Sequence, residues 1–209
     1  MVTGHTGFKG SSLSVWLNTL GANVVGYAMD PTSDKGNYCA CHLDKRLYAD
    51  LRGDTRDIEK LDAAVKKFKP EIIFHLAAQA LVRTSYEHPR ETFETNVMGA
   101  LNVAETMRKN DCVRAAVMIT SDKCYENREQ IWGYKETDRM GGEDPYSASK
   151  GCTELLLHAY QRSYFAPEKY NVHGKAIATV RAGNVIGGGD WSDNRLIPDC
   201  IRYIEADKP

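Results

Sequence analysis

Short strand-type runs and helical stretches alternate six times along this chain, and that alternation narrows the possible folds more than any other feature. Residues 1–3 read as the end of a strand, and 23–28 (NVVGYA) as a second. A third short strand precedes Gly53-Asp54. Residues 72–77 (IIFHLA) read as a buried strand, and 115–120 (AAVMIT) and 176–181 (AIATVR) complete the set. Between them, 11–20 places Leu13, Trp16, Leu17 and Leu20 on one helical face, with Gly21 suited to the C′ position. Asp57 is a plausible N-cap for a helix through 67, stopped before Pro70. Residues 92–109 and 146–165 read as long helices. Such alternation predicts an α/β fold with a parallel, doubly wound sheet.

Composition excludes several classes. With 42% hydrophobic and 26% charged residues, disorder is not the main state. A net charge of −1 argues against bulk affinity for nucleic acid or an anionic membrane. No apolar run approaches the roughly 18 residues of a membrane helix. The N-terminus shows no signal-peptide pattern, and six scattered cysteines do not suit a disulfide scaffold. They are read as free thiols in a reducing cytoplasm. Cys39-Ala40-Cys41-His42 lacks a second ligand pair at finger spacing, so no metal is expected.

Gly4-His5-Thr6-Gly7-Phe8-Lys9-Gly10 is a G-x-x-G-x-x-G run between a strand and a helix. Glycines there permit a tight turn and let backbone N–H groups approach a pyrophosphate at a helix N-terminus. Asp30 lies twenty residues after Gly10, where a carboxylate accepts hydrogen bonds from an adenosine ribose. Its charge disfavours the 2′-phosphate of NADP, so NAD is the expected cofactor. The pattern is that of a Rossmann-type sheet. Asp54, beside Thr55, is a candidate for the adenine amine, with a turn or capping aspartate as the equal alternative.

Tyr146-Ser147-Ala148-Ser149-Lys150 puts a phenol and an ammonium on one helical face at i, i+4. The ammonium, together with the positive nicotinamide ring of a bound cofactor, is expected to favour phenolate and to bring Tyr146 closer to neutral pH as a base. Thr120-Ser121-Asp122-Lys123 falls where the fifth strand ends, at the edge of an open parallel sheet that carries sites. On spacing alone, a polar strand-end turn is the favoured reading there.

These residues resemble the extended short-chain dehydrogenase/reductase family. The markers are the glycine loop with Thr3, His75-Leu76-Ala77-Ala78-Gln79, Thr95-Asn96-Val97-Met98-Gly99, and Tyr146 with Lys150. Residues 120–127 (TSDKCYEN), Trp132-Gly133-Tyr134 and residues 181–191 (RAGNVIGGGDW) narrow the likeness to nucleotide-sugar dehydratases, specifically those acting on CDP-glucose. Ser12 departs from the Trp expected just after the loop.

The resemblance implies tightly held NAD contacted by Gly4, Thr6, Gly7, Phe8, Lys9, Gly10, Asp30, Asp54, Thr55, Leu76, Ala77, Ala78, Gln79, Asn96, Thr120, Tyr146 and Lys150. Tyr146 and Lys150 are catalytic with Ser121, Asp122 and Lys123. Tyr146 is the base at the glucose 4-hydroxyl and Asp122 the acid at the leaving 6-hydroxyl. Ser121 holds the 4-oxygen, and Lys123 takes the C5 proton. A lysine base needs desolvation or nearby positive charge to be partly neutral. Arg83, Ser121, Asn184 and Arg195 are the substrate contacts; Gln79 and Asn96 order strand ends or cofactor and do not react. His5 has no catalytic role. The helices at 92–109 and 146–165 match those that form a homodimeric four-helix bundle.

Residues 1–182 are thus read as a dinucleotide-binding domain, and 183–209 as the start of a substrate-binding region. The short first strand and early stop predict missing residues at the front and a substantial missing part at the back, unless the chain is a short natural variant. Alternatives are another nucleotide-sugar dehydratase, a 4-epimerase, which needs no acid–base pair beyond Tyr146, or an inactive NAD-binding fragment.

Overall fold

The computed structural model describes residues 1–207. The sheet has six strands, all parallel, in the order β3-β2-β1-β4-β5-β6. They are β1 (Val2–Thr3), β2 (Val25–Ala28), β3 (Ala49–Arg52), β4 (Ile72–His75), β5 (Ala115–Ile119) and β6 (Ala176–Val180). Val2 of β1 pairs with Gly26 on one side and Phe74 on the other. The order reverses between β1 and β4, and a crevice opens there at the carboxyl ends of the strands.

Among the described residues the α-helices are α1 (Phe8–Thr19), α2 (Asn37–Ala40), α3 (Ile58–Phe68), α4 (Val82–Glu87), α5 (Pro89–Phe93), α6 (Gly99–Lys109), α7 (Pro145–Tyr164), α8 (Tyr170–His173) and α9 (Leu196–Glu205); those that cover the sheet follow local rules. Helix α3 (Ile58–Phe68) starts at Asp57, whose carboxylate accepts from the Lys60 N–H at 3.0 Å. It ends at Lys69, in the left-handed region at φ 47°, ahead of Pro70. Helix α7 (Pro145–Tyr164) has Pro at its first turn, and Asp144 accepts from the Ser147 N–H at 2.9 Å. The core lies between the sheet and α3, α6 (Gly99–Lys109) and α7. Leu61, Val65, Ile73, Val103, Met107, Met118 and Leu157 are all buried in it.

Three expectations need correction. Residues 92–109 do not form one regular helix. Helix α5 (Pro89–Phe93) runs into a π-helical turn, Glu94–Met98, before α6 begins. The wide turn has a visible cause in Asn96. Its side chain turns inward, accepting from the Gln79 N–H at 2.9 Å and donating to the Gln79 carbonyl at 3.0 Å and the Ser149 hydroxyl at 2.8 Å. In α1 (Phe8–Thr19), the predicted apolar face does not point inward. Trp16 and Leu20 are 64% and 67% exposed, while Gly10, Ser11 and Ser14 are buried. A Cβ on Gly10 would lie 2.0 Å from the Gly4 carbonyl oxygen. The helix approaches the loop so closely that only small residues fit on that side. The strand at 72–77 is also shorter than expected, and it begins with a half-exposed Ile72.

After β6 the chain crosses the carboxyl edge of the sheet and forms α9 (Leu196–Glu205). Ahead of it, Asn37 N–H donates to the Gly189 carbonyl at 3.2 Å, and Lys35 lies over the Trp191 ring at 5.3 Å.

Candidate active site

The glycine loop is built from backbone. Gly4 sits at φ +73°, and a Cβ there would meet the Ala77 nitrogen at 2.6 Å, so glycine is required twice over. Its N–H donates to Tyr27 O at 2.9 Å and its carbonyl accepts from the Gly7 N–H at 3.1 Å. Gly7 caps α1 with no side chain bonded to the helix end. The first-turn N–H groups thereby face the crevice, as anion binding requires.

The loop forms one wall of a cleft of about 330 Å³. Gly4, Gly7, Phe8, Lys9 and Gly10 line it from one side, and Leu76 and Ala78 from the end of β4. Ser121, Lys123 and Tyr146 close the far side, and Asn184 and Arg195 lie across it. Five separate regions of sequence thus meet in one place. Asp190, from the 181–191 stretch, also lines it, as do Ala80, Val82, Ser192 and Asn194; these last four carried no sequence signal, because they sit in or at the edge of irregular connections without periodicity.

Tyr146 is buried, and burial pushes its phenol up from the ordinary value. A hydrogen bond with Ser121 and the charge of Arg195 pull the other way. Among the residues around the phenol, burial outweighs the groups that pull it down. Lys150 Nζ lies 6.0 Å from the Tyr146 ring centre and donates to Ile119 O at 3.4 Å. Lys150 is itself pulled down to about 8, first by burial and then by the charge of Lys9.

Ser121 begins a 3₁₀ turn, Asp122–Cys124. Its hydroxyl donates to Asp122 Oδ1 at 3.0 Å and accepts from the Lys123 N–H at 3.3 Å. Asp122 opens on an adjoining depression with Tyr125 and Tyr134, not on the main cleft. Lys123 is exposed. The desolvation expected of a lysine base is therefore not supplied by the surrounding residues.

The remaining candidates divide into two groups. Asp30 is 87% exposed beyond β2, and only its Oδ1 is engaged, by Arg52 Nε at 2.8 Å. Thr6 ties the loop to this strand end, donating to Met29 O at 3.0 Å. Arg195 contacts the Ala80 carbonyl at 3.4 Å, and its buried Nε has no partner among the described residues. Exposed Arg83 donates to Asn194 at 2.8 Å, at the rim.

The others are held in structural roles. Asp54 accepts the Arg56 N–H at 2.8 Å and Arg56 Nε at 2.9 Å, which favours the turn reading. Thr55 is buried, and its carbonyl accepts from Asn102 at 2.9 Å. Gln79 binds Leu81 and Thr92 and so orders the end of β4. Ala77 N–H donates to the Thr3 hydroxyl at 3.4 Å. Thr120 gives its hydroxyl to buried Glu154 and to Val180 O. Cys41 donates to Asn37 Oδ1, and no metal-binding group of three or more His, Cys, Asp or Glu is present among the described residues.

Sequence reasoning missed Glu154 and its pairing with Arg181. Arg181 Nη2 donates to Glu154 at 2.9 Å and Nη1 to the Tyr125 hydroxyl at 2.8 Å. Glu154 lies four residues beyond Lys150 on the same helix. That i, i+4 extension was the available signal. Burial pushes the Glu154 carboxyl up, but hydrogen bonds from Arg181, Thr120 and Thr179 outweigh it and hold it below its usual range.

The sheet order, the glycine loop at the switch point and the Tyr–Lys pair define a dinucleotide-binding α/β protein. The chain belongs to the NAD dependent epimerase/dehydratase family, whose model matches residues 1–209. It is 54% identical over 98% of its length to the CDP-glucose 4,6-dehydratase of Salmonella typhimurium, covering 56% of that protein. It is similar in structure to the UDP-glucose 4-epimerase of Thermus thermophilus in complex with NAD. There the TM-score is 0.75 and the identity 30%, over 92% of this chain and 58% of that one. The UDP-glucose 4-epimerase of Thermotoga maritima shares the fold at a TM-score of 0.84 and 23% identity, covering 99% of this chain and 63% of that one. The chain spans about half the length of the curated relatives it matches. No described helix is long and apolar enough to cross a membrane.

Proposed function

We propose that this chain carries the NAD-binding and catalytic part of a CDP-glucose 4,6-dehydratase, which forms CDP-4-keto-6-deoxyglucose. One observation carries the reading: Ser121, Lys123, Tyr146 and Arg195 converge with the glycine loop on a single cleft. Identity with the Salmonella enzyme supports the nucleotide and the reaction. The residues fit the cofactor. The loop is packed so closely on its own backbone that a Cβ on Gly4 or Gly10 would strike Ala77 or the Gly4 carbonyl, Asp30 keeps one carboxylate oxygen free, and Arg195, which lines the cleft, has a buried nitrogen with no partner among the described residues.

NAD held there would supply a reversible hydride acceptor, taking hydride from C4 and returning it to C6 once water has left, so that the reaction is redox-neutral overall. Tyr146 removes the proton from the 4-hydroxyl, and Ser121 and Arg195 lower the cost of phenolate there. Arg195 and Lys9 are placed to hold diphosphate oxygens, Arg195 by its planar fork. Oxidation at C4 acidifies the C5 proton, which Lys123 takes. Asp122, hydrogen-bonded to Ser121, protonates the departing 6-hydroxyl. Closing the site over Lys123 would supply the desolvation that is missing here.

The test is a mass spectrum of the product after incubation with NAD and each of CDP-, dTDP-, UDP- and GDP-glucose. A product one water lighter from CDP-glucose alone is expected. Bound NAD with no loss of water from any sugar would reduce the chain to a cofactor-binding part. Lys123→Ala should abolish exchange of the C5 hydrogen with solvent, and normal exchange would remove Lys123 from the role. We also propose a cytoplasmic homodimer. Free cysteines suit a reducing compartment. Exposed Met98, Leu155 and Tyr164, on the π turn and α7, suit a helix-to-helix interface. Light scattering showing only monomer at high concentration would exclude the dimer.

A further inference from the structure

At the free ends of β2 and β3, two carboxylates flank one guanidinium. Ala28 and Arg52 are register partners, which brings Arg52 beside the chain leading to Asp30. Arg52 Nε donates to Asp30 Oδ1 at 2.8 Å. Its other two nitrogens are occupied from behind. Nη1 binds Asp50 Oδ1, and Nη2 reaches Asp50 Oδ2 at 3.2 Å and the Tyr38 hydroxyl at 2.8 Å. The Tyr38 ring lies 5.3 Å from the guanidinium carbon. Asp50 is anchored in turn, accepting from the Tyr38 hydroxyl at 2.5 Å and meeting buried His5 Nε2 at 2.7 Å.

We propose that Arg52 is a cofactor-specificity residue, fixing Asp30 as acceptor for the adenosine ribose and standing ready to bind a 2′-phosphate if the Asp30 charge is removed. The inference rests on the NAD reading above. Its physical basis is the difference in how the two sides of Arg52 are held. On the Asp50 side the contacts are multiple and partly buried, with Asp50 16% exposed. On the Asp30 side there is one contact, to a carboxylate that is 87% exposed. Asp30 can be replaced without releasing the guanidinium, because Asp50 and Tyr38 still pin it. Nε–H then points at the vacated position, and a phosphate there gains a charge-assisted hydrogen bond. With Asp30 present, its charge repels the same phosphate, while Arg52 steadies the carboxylate and leaves the other oxygen for a ribose hydroxyl.

The mundane alternative is an exposed ion pair of no consequence for binding. The experiment that separates them is direct calorimetric titration of NAD and NADP into wild type, Asp30→Ser, Arg52→Met, Arg52→Lys and the double variant Asp30→Ser/Arg52→Met. Circular dichroism and the unfolding midpoint verify folding. Wild type should prefer NAD. Asp30→Ser should weaken NAD and tighten NADP, each by about 10-fold, the scale of one hydrogen bond to a charged group. Arg52→Met should weaken NAD about 3-fold or more without improving NADP. The double variant should lose the NADP gain. Arg52→Lys keeps the charge if the Met variant unfolds, and should retain part of the NADP gain when combined with Asp30→Ser. An NADP gain that survives Arg52→Met overturns the proposal, as does NAD binding indifferent to Arg52. Wild type binding neither nucleotide would instead overturn the NAD reading itself.

Discussion

The two halves of the sheet face the same cleft but are held together differently. Around β1–β3, α1 and the loop before it meet the sheet through glycine, serine and backbone hydrogen bonds. Around β4–β6, α6 and α7 present a core of Ala100, Val103, Ala104, Met107 and Leu157, and beneath the cleft they bury Glu154 and Lys150. The first half keeps its backbone accessible to a ligand, so side chains are a hindrance. The second half places side chains that do chemistry, and these charged groups need partners because burial is costly without them. Each half should fail in its own way, and the following experiments separate the failures by size.

The largest effect belongs to the second half. Glu154 and Arg181 form a buried pair, with side chains 5% and 17% exposed. Glu154→Leu leaves Arg181 without its carboxylate and should cost about 3–5 kcal/mol in urea unfolding. Glu154→Leu/Arg181→Met should recover most of that loss, since removing both charges removes the penalty. The arginine also holds Tyr125, which follows the Asp122–Cys124 turn. The double variant should therefore regain stability but not turnover. Equal recovery of both would show that the pair only stabilises.

The next effect belongs to the first half and is steric. Gly10→Ala pushes a methyl against the Gly4 carbonyl and should cost about 1–3 kcal/mol while abolishing NAD binding. Gly21 is the control. It has φ +85°, but a methyl there would meet nothing within 4 Å, so Gly21→Ala should cost about 1 kcal/mol and leave binding intact. Thermal unfolding and nucleotide titration read both. If Gly10→Ala bound NAD normally, the close approach would not be what the loop is for.

At the seam between the halves, the Thr3 hydroxyl of β1 meets His75 Nδ1 of β4 at 2.8 Å. Burial, and then the charge of Lys150, lowers His75 to about 3 from an ordinary 6.5. A histidine held neutral in the native state takes up its proton only on unfolding. Its contribution is complete above pH 6.5 and is lost as the pH falls from there toward 3. Unfolding free energy should thus drop by about 2 kcal/mol between pH 7 and pH 5. His75→Asn should flatten that slope, and an unchanged slope would place the pH sensitivity elsewhere.

How much of this was legible in the sequence also divides between the halves. The glycine loop and the Asp57 cap could be read because each depends on local backbone geometry and fixed spacing. Tyr146 and Lys150 were legible for the same reason, as neighbours on one helix. The face of α1 was misread because periodicity reports which side chains are apolar, not how near the backbone must come to a loop. The π turn was invisible because its cause, Asn96 bonded to Gln79 and Ser149, joins three separate segments. Arg52 was missed similarly, and so was the pairing of Arg181 with Glu154. An arginine near a strand end carries no signal until the sheet sets its neighbours beside it.

The smallest effect tests whether a buried cation always needs a carboxylate in the second half. Lys175, just before β6, is 7% exposed. Its Nζ donates to the carbonyls of Met107, Arg108 and Asn110 at 2.8, 3.1 and 3.2 Å. These are the last carbonyls of α6 and its cap, which lack helical partners and carry the negative end of the helix dipole. Asp111 also lies 3.3 Å from Nζ, but its side chain is fully exposed. Water screens that ion pair, whereas the carbonyls are held in place by the helix. Lys175→Met should therefore cost about 1 kcal/mol in urea unfolding. Asp111→Asn should leave the midpoint where it is. If Asp111→Asn matched Lys175→Met, the ion pair would be the anchor. The second half would then depend on carboxylates throughout, and not on helix ends as well.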